Sequence, residues 1–287
     1  MPRSPRAPPS RGARVTFGGG APGGPLRPID RRGPLAYALS MNDWIGILPH
    51  DDTSRRGWHF HGADLRGPLE GAALDAALEG LASEAILMAD AAGAPSETVP
   101  ANLLPDQLLH SPGGLVLPPM EQASPAARIR AERLLLIGFM ALNPNWDGVV
   151  CLPGEVTTWA SLSAGEVIFL QQSVTGRLAA ALGAVEMPDT AALETTLSRP
   201  ERLATDLRAA ELSGQPGAAM GHLLGAELAA SRGLWLGQQL AVIGTGTLAR
   251  AYAAALKAQG APVTEAAPEA MAQQGFLALA QKFGLPG

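Results

Sequence analysis

The chain has 287 residues, 47% of them apolar, and a formal net charge of −5, which allows two modest domains or one large one around a buried core. Its single cysteine, Cys151, excludes a disulfide within the chain and fits a reducing compartment. The longest apolar run, Leu134 to Leu142, is broken by Gly138 and stops at Asn143-Pro144, too short to span a bilayer.

Residues 1–40 hold seven arginines and one acid, Asp30, a net +6 that leaves −11 for the remainder. An acidic body repels nucleic acid phosphates and anionic lipid, so neither is an expected partner. The same forty residues contain eight prolines and seven glycines with hardly any apolar periodicity. They bury too little to offset ordering entropy and are expected to be disordered, or to precede the true start at Met41. They show no apolar h-region and no amphipathic Arg/Ser helix of a targeting segment.

From Met41 the elements follow in order. Trp44 to Leu48 reads as a buried strand, and Arg56 to His61 alternates as a half-buried strand does, with 50–54 as the turn between them. Leu74, Leu78 and Leu81 fall at helical spacing, Ala85 to Met88 returns to strand, and 91–119 reads as irregular. Ser124-Pro125 predicts a helix start, with serine at the N-cap and proline at the first helical position, running to Ala141. Strands are predicted at 149–152, 157–160 and 167–170, with a turn at Pro153-Gly154-Glu155. Ser173 is the expected cap of a helix over 175–182. After a helical middle come a strand at 240–243, a helix at 248–259, a strand at 262–264 and a helix at 270–283. Hairpin, further strand and helix thus occur twice, from Trp44 and from Val149. This order predicts either two similar α/β lobes across a cleft or one mixed sheet with helices on both faces.

Several short segments resemble the 2-dehydro-3-deoxygalactonokinase family. His222-Leu223-Leu224-Gly225-Ala226-Glu227-Leu228 is similar to its Leu-Leu-Ile-Gly-Ala-Glu helix. Val242-Ile243-Gly244-Thr245-Gly246-Thr247-Leu248 and Tyr252 follow at the family's distance. Asp147 to Gly154 with Trp159 looks like its strand, Pro-Gly turn and tryptophan, and Thr175-Gly176 with Leu178 like its Thr-Gly-Glu-Leu helix start. The resemblance implies an α/β, actin-like (ribonuclease H-like), two-lobed sugar-kinase fold, with lobes at 41–143 and 144–287. It implies a cytoplasmic enzyme moving the γ-phosphoryl of ATP to the 6-hydroxyl of 2-dehydro-3-deoxy-D-galactonate with Mg²⁺. The implied partner is a small sugar acid, and a homodimer remains open.

Carried over position by position, the resemblance assigns Gly154, Thr175, Gly176, Gly225, Gly244, Thr245, Gly246 and Thr247 to ATP. Arg56 and Arg130 are the candidates for the sugar acid and Glu132 for catalysis, while Asp51 and Asp52, where the family's phosphate turn is lost, are candidates for catalysis and for holding Mg²⁺, with a solvated acidic turn as the plainer reading. The departures are as informative. The family's Asp-Trp-Gly phosphate turn is Leu48-Pro49-His50 here, without the glycine that lets a backbone approach an anion. Its Gly-Met-Val-Gly-Ser segment is Ala89 to Gly93. Its Arg-Gly-Glu-Glu-Thr motif is Arg130-Ala131-Glu132-Arg133-Leu134. Its Gly-Thr-His-x-Lys-Trp turn is Gly154-Glu155-Val156-Thr157-Thr158-Trp159, which loses histidine and lysine and gains an acid. Scaffold residues outlast charged ones, the pattern of a degenerate kinase and an argument for a non-catalytic binder of nucleotide or sugar acid.

Two other patterns compete. Gly244-Thr245-Gly246-Thr247-Leu248-Ala249 fits a dinucleotide fingerprint, with Glu265 near the ribose-binding position. The chain beyond Glu265 is too short for the rest of such a sheet. His59 and His61 share a strand face with His50 nearby, but no further ligand supports a metal, and a solvated face is expected. Cys151 in an apolar strand is expected to be buried and inert.

Overall fold

The structure is a computed structural model and describes residues 42–49 and 54–285. Strands β1 (Asp43–Pro49), β2 (Arg55–His61) and β3 (Asp64–Glu70) form an antiparallel meander. Helix α1 (Gly71–Leu78) follows, and β4 (Ile86–Met88) pairs parallel to β1. The stretch expected to be irregular carries short strands: β5 (Glu97–Thr98), β6 (Ala101–Asn102), β7 (Leu109–Ser111) and β8 (Gly114–Val116). They are too brief for a period-two pattern to show above the surrounding Pro and Gly.

The helix expected from Ser124-Pro125 is a correction. Strands β9 (Met120–Gln122) and β10 (Ala127–Ile129) occupy this region, and α2 (Glu132–Leu142) begins only afterwards. Ala127 and Ile129 are buried while Arg128 between them is exposed, a strand alternation that outweighs the Ser-Pro signal.

The second half repeats the order. Strands β11 (Gly148–Leu152), β12 (Thr157–Ser163) and β13 (Glu166–Ser173) form a second meander. Helices α3 (Thr175–Ala181), α4 (Thr190–Ser198), α5 (Leu203–Leu212), α6 (Pro216–Ala230) and α7 (Arg232–Trp235) lead to β14 (Leu240–Ile243), parallel to β11. Helix α8 (Gly246–Ala258), β15 (Val263–Ala266), parallel to β14, and α9 (Pro268–Phe283) complete the described chain. Ser173 does not cap α3: Val174 is the N-cap residue, and the Ser173 hydroxyl bonds Thr175 Oγ1 instead.

The two six-stranded sheets therefore share one topology. The orders β3-β2-β1-β4-β8-β7 and β15-β14-β11-β12-β13-β6 each hold a meander whose first strand is extended by two parallel strands. The expected duplication is present, as two six-stranded sheets rather than one, with β10, β9 and β5 forming a separate three-stranded sheet.

Helices α2 and α9 cross in the core that joins the sheets. A Cβ at Gly138 of α2 would lie 1.8 Å from the Met271 carbonyl oxygen of α9, and one at Gly275 would lie 2.3 Å from the Leu134 carbonyl oxygen. Only glycine on both helices allows this approach. Phe276 of α9 then packs against Trp58 and Phe60, and its ring fills the space a side chain at Gly46 would need. On the far side of the second sheet, Gly221 and Gly225, one turn apart on α6, bring that helix onto the α4 backbone. Side chains there would meet the Asp189 and Leu193 carbonyl oxygens at 2.5 Å.

Candidate functional site

Ligands of open α/β sheets bind beyond the carboxyl ends of the parallel strands. In the second sheet those ends are Pro153-Gly154, Gly244-Thr245 and Ala267. In the first they are Pro49 and, since Ala89 N–H bonds the Ile47 carbonyl, the segment Ala89-Asp90. A cavity of about 690 Å³ brings the two sheets' ends together, with Pro49, Arg55, Arg56, Thr245 and Glu269 on its walls. Trp58 also borders it, and the buried indole N–H of Trp58 has no acceptor among the described residues. An unpaired buried donor costs about 1–3 kcal/mol.

The residues assigned to ATP fall into separate groups. The first surrounds the β11–β12 turn. A Cβ at Gly176 would lie 2.0 Å from the Gly154 carbonyl oxygen and 3.1 Å from Leu248. Arg177 N–H donates to the Glu155 carbonyl at 3.0 Å, so the start of α3 is fastened to the turn. Gly244 packs on Ala249 and near Pro153, where its Cβ would be 3.6 Å from the ring. Gly246 begins α8 at φ +80°, a left-handed conformation that favours glycine, and faces open space. The Thr247 hydroxyl accepts from Arg250 at 3.1 Å. Thr175 is buried and borders a second cavity of about 560 Å³, shared with Val156, Gln172, Leu178 and Glu227. Gly225 lies apart, in the α4–α6 contact.

The charged candidates are already engaged. Arg56 pairs with Glu70 and lies 3.7 Å from Glu269, and Arg55 bonds Asp75 at 2.7 Å. Arg130 clasps Asp90 with two bonds of 2.9 and 2.7 Å, and the Glu132 carboxylate accepts from the Arg130 backbone N–H at 2.9 Å. Asp51, Asp52 and His50 lie outside the described residues. Among the described residues no group of three or more His, Cys, Asp or Glu could hold a metal ion.

Two clusters are more elaborate than the sequence reading foresaw. The Glu227 carboxylate accepts from Trp159 Nε1 at 2.7 Å and from the Tyr252 hydroxyl at 2.6 Å. Since that hydroxyl's proton goes to Glu227, Thr157 donates to Tyr252 across their 2.8 Å contact. Burial raises the Tyr252 phenol well above its ordinary range, and the Glu227 charge adds to it; Cys151 is raised by the same two causes. Trp159, Glu227 and Tyr252 are resemblance-carrying residues, so their polar tips within apolar runs were the available signal. The other cluster is around Arg133, whose side chain is fully buried. It donates to the carbonyls of Leu103, Pro118 and Asn102 and to Glu97, at 2.7–2.9 Å. A lone arginine before Leu134-Leu135-Leu136-Ile137 was its signal.

The solvated face expected of His59 and His61 is corrected for His59, which is buried, whereas the His61 side chain is 37% exposed. Asp43 Oδ1 lies 3.1 Å from His59 Nε2 and 3.0 Å from His61 Nδ1, with Asp43 and His59 buried. Glu265, the acid of the dinucleotide pattern, pairs with Lys257.

A duplicated meander with parallel extensions, facing itself across a cleft, defines an actin-like α/β sugar-kinase fold. The family model of the 2-keto-3-deoxy-galactonokinases matches residues 82–195 and 191–279, and the chain belongs to that family. A crystal structure of a candidate 2-dehydro-3-deoxygalactonokinase from Sinorhizobium meliloti superposes with a TM-score of 0.73 at 20% identity, over 84% of this chain and 99% of that one. Component A of the (R)-2-hydroxyglutaryl-CoA dehydratase of Acidaminococcus fermentans gives a TM-score of 0.43 at 12% identity, over 84% of this chain and 99% of that one. A comparison with curated proteins gave no match.

Proposed function

We propose that the chain binds ATP and 2-dehydro-3-deoxy-D-galactonate in the cleft and transfers the γ-phosphoryl to the sugar acid's 6-hydroxyl. The supporting observation is the cavity that both sheets' strand ends share. In this reading the ATP phosphates lie along Gly154 and the Gly244–Thr247 loop, and the nucleoside enters the cavity beside Thr175. The 6-hydroxyl oxygen bonds to the γ-phosphorus as the bond to the β,γ-bridging oxygen breaks, and ADP leaves. The hydroxyl proton passes to a carboxylate, for which Asp90 and Glu132 stand at the cleft end of the first sheet. Arg56 or Arg130 takes the sugar acid's carboxylate by exchanging its present partner.

A second reading, a binder with little turnover, is favoured by that pairing. Arg55, Arg56 and Arg130 are all neutralised by carboxylates, and Glu155 stands in the phosphate turn. A like charge about 4 Å from phosphate costs about 4 kcal/mol at an effective dielectric near 20. Incubation with ATP and 2-dehydro-3-deoxy-D-galactonate, read by phosphorus NMR, separates the readings. A 6-phosphate ester is expected. Binding of both ligands without ester would leave only the second reading. Binding of neither would overturn both.

A further inference from the structure

The three-stranded sheet of β10, β9 and β5 has two unlike faces. Met120, Ala127 and Ile129 are buried on one of them. Across the other runs a row of exposed polar residues, one from each strand. Thr98 of β5 and Arg128 of β10 both stand opposite Glu121 of β9. Opposite charges facing each other on adjacent strands, with Cβ atoms about 5 Å apart, stabilise a sheet by pairing. Arg128 instead donates through Nη2 to the Ala94 carbonyl at 3.1 Å, and the Glu121 carboxylate and Thr98 hydroxyl have no partner among the described residues. All three border a cavity of about 430 Å³, with Ala123 and Ala126 among its other walls. It shares no lining residue with the cavity at the sheets' ends.

The frame of this row is fixed without its charged tips. The Gln172 amide bonds both the N–H and the carbonyl of Arg128, at 3.0 and 2.9 Å. The Gln122 amide does the same at Leu170, at 2.8 Å for each bond. Two glutamines thus clamp the small sheet to β13.

We propose that the row Thr98–Glu121–Arg128 is a binding site for a free α-amino acid. A ligand carrying only a carboxylate would gain Arg128 and be repelled by Glu121, and one carrying only an amine would meet the reverse. A zwitterion satisfies both. Its carboxylate takes the Arg128 donors that Ala94 leaves free, in a charge-assisted contact. Its ammonium donates to Glu121 and to the Thr98 hydroxyl. The methyl walls of Ala123 and Ala126 leave room for a small side chain. This assignment is independent of the phosphoryl-transfer reading.

The test is saturation-transfer NMR on the full chain with millimolar glycine, L-alanine, L-serine and L-valine, beside propanoate and propylamine, which each carry one of the two charges. At least one amino acid should give signal, and both single-charge probes should bind about tenfold more weakly or not at all. Arg128→Gln and Glu121→Gln should each weaken the amino acid by about tenfold or more. Both side chains are exposed, so the melting temperature should stay unchanged, and each variant tests the site without the other. No signal from any of the amino acids would overturn the proposal. So would propanoate or propylamine binding as tightly as they do, which would make the site one for a single charge. Binding that either variant leaves unchanged would overturn it too, since the zwitterion needs both groups.

Discussion

The cleft-facing ends of the two sheets are built alike and furnished differently. At the second sheet the turn at Gly154 and the start of α3 at Gly176 are in backbone contact, the loop at Gly244 packs near Pro153 of the same turn, and Trp159, Glu227 and Tyr252 form a buried network. At the first sheet the strand ends in Leu48-Pro49, and the neighbouring arginines are held by Asp75, Glu70 and Glu269. Resemblance to the kinase family is strong where residues are required by packing and faint where they would be required only by a ligand. A glycine pressed on a carbonyl cannot change without moving two elements. A surface lysine can.

The largest effect should come from the packing side. Gly138→Ala sets a methyl 1.8 Å from the Met271 carbonyl oxygen, and urea unfolding should show a loss of about 3 kcal/mol. A loss under about 1 kcal/mol would mean that α2 and α9 separate easily and that the crossing is not what fixes the sheets.

Next is the buried network. Glu227→Ala leaves the Trp159 N–H and Tyr252 O–H without their acceptor, which should cost about 2–3 kcal/mol, and Glu227→Gln should cost less because its amide oxygen still accepts one bond. Equal losses would show that shape, not hydrogen bonding, holds this region.

The same network sets a response to base. Tyr252 and Cys151 are raised above their ordinary values of 10.0 and 9.0 in the folded chain. The unfolded chain therefore sheds protons first as pH rises, and the folded chain binds more of them. Stability is unaffected by these groups below about pH 9 and should fall above it, by up to about 1.4 kcal/mol per pH unit for each group. Tyr252→Phe should flatten the slope above pH 10. An unchanged slope would count against a buried, protonated Tyr252.

The smallest effect belongs to the first sheet's exposed pairs. Arg56→Ala breaks contacts at a side chain 42% exposed and should change stability by no more than about 1 kcal/mol. A larger loss would make Arg56 a structural residue rather than one available to a ligand.

Much of this contrast was legible in the sequence. The long apolar strands β1, β11 and β14 and the helices α3, α8 and α9 carry clear periodicity, and their order predicted the duplication. The short strands between Glu97 and Val116 were hidden by Pro and Gly, and β10 by a Ser-Pro pair that reads as a helix start. Strand β3 was missed because Arg66, Gly67 and Pro68 interrupt its alternation. Gly176 and Gly244 could be singled out as cleft glycines, whereas Gly225 has the same motif status but serves the α4–α6 contact. A motif identifies a close approach without saying whether backbone or ligand makes it. The pairing of Arg130 with Asp90, and of Arg133 with four acceptors, joins residues far apart in the chain and leaves no local pattern.

The central claim, that the cleft between two equivalent sheets takes ATP against the Gly244–Thr247 loop, is tested most directly by calorimetric titration of the full chain with ATP, wild type beside Gly246→Val. Gly246 faces open space at φ +80°, so a side chain there meets no protein atom and strains the backbone by about 1–2 kcal/mol. The account predicts saturable ATP binding by the wild type. It predicts at least about tenfold weaker binding by the variant, beyond what its modest loss of melting temperature explains. Wild-type protein that binds ATP with an affinity the variant matches, or that binds no ATP at all, would contradict it.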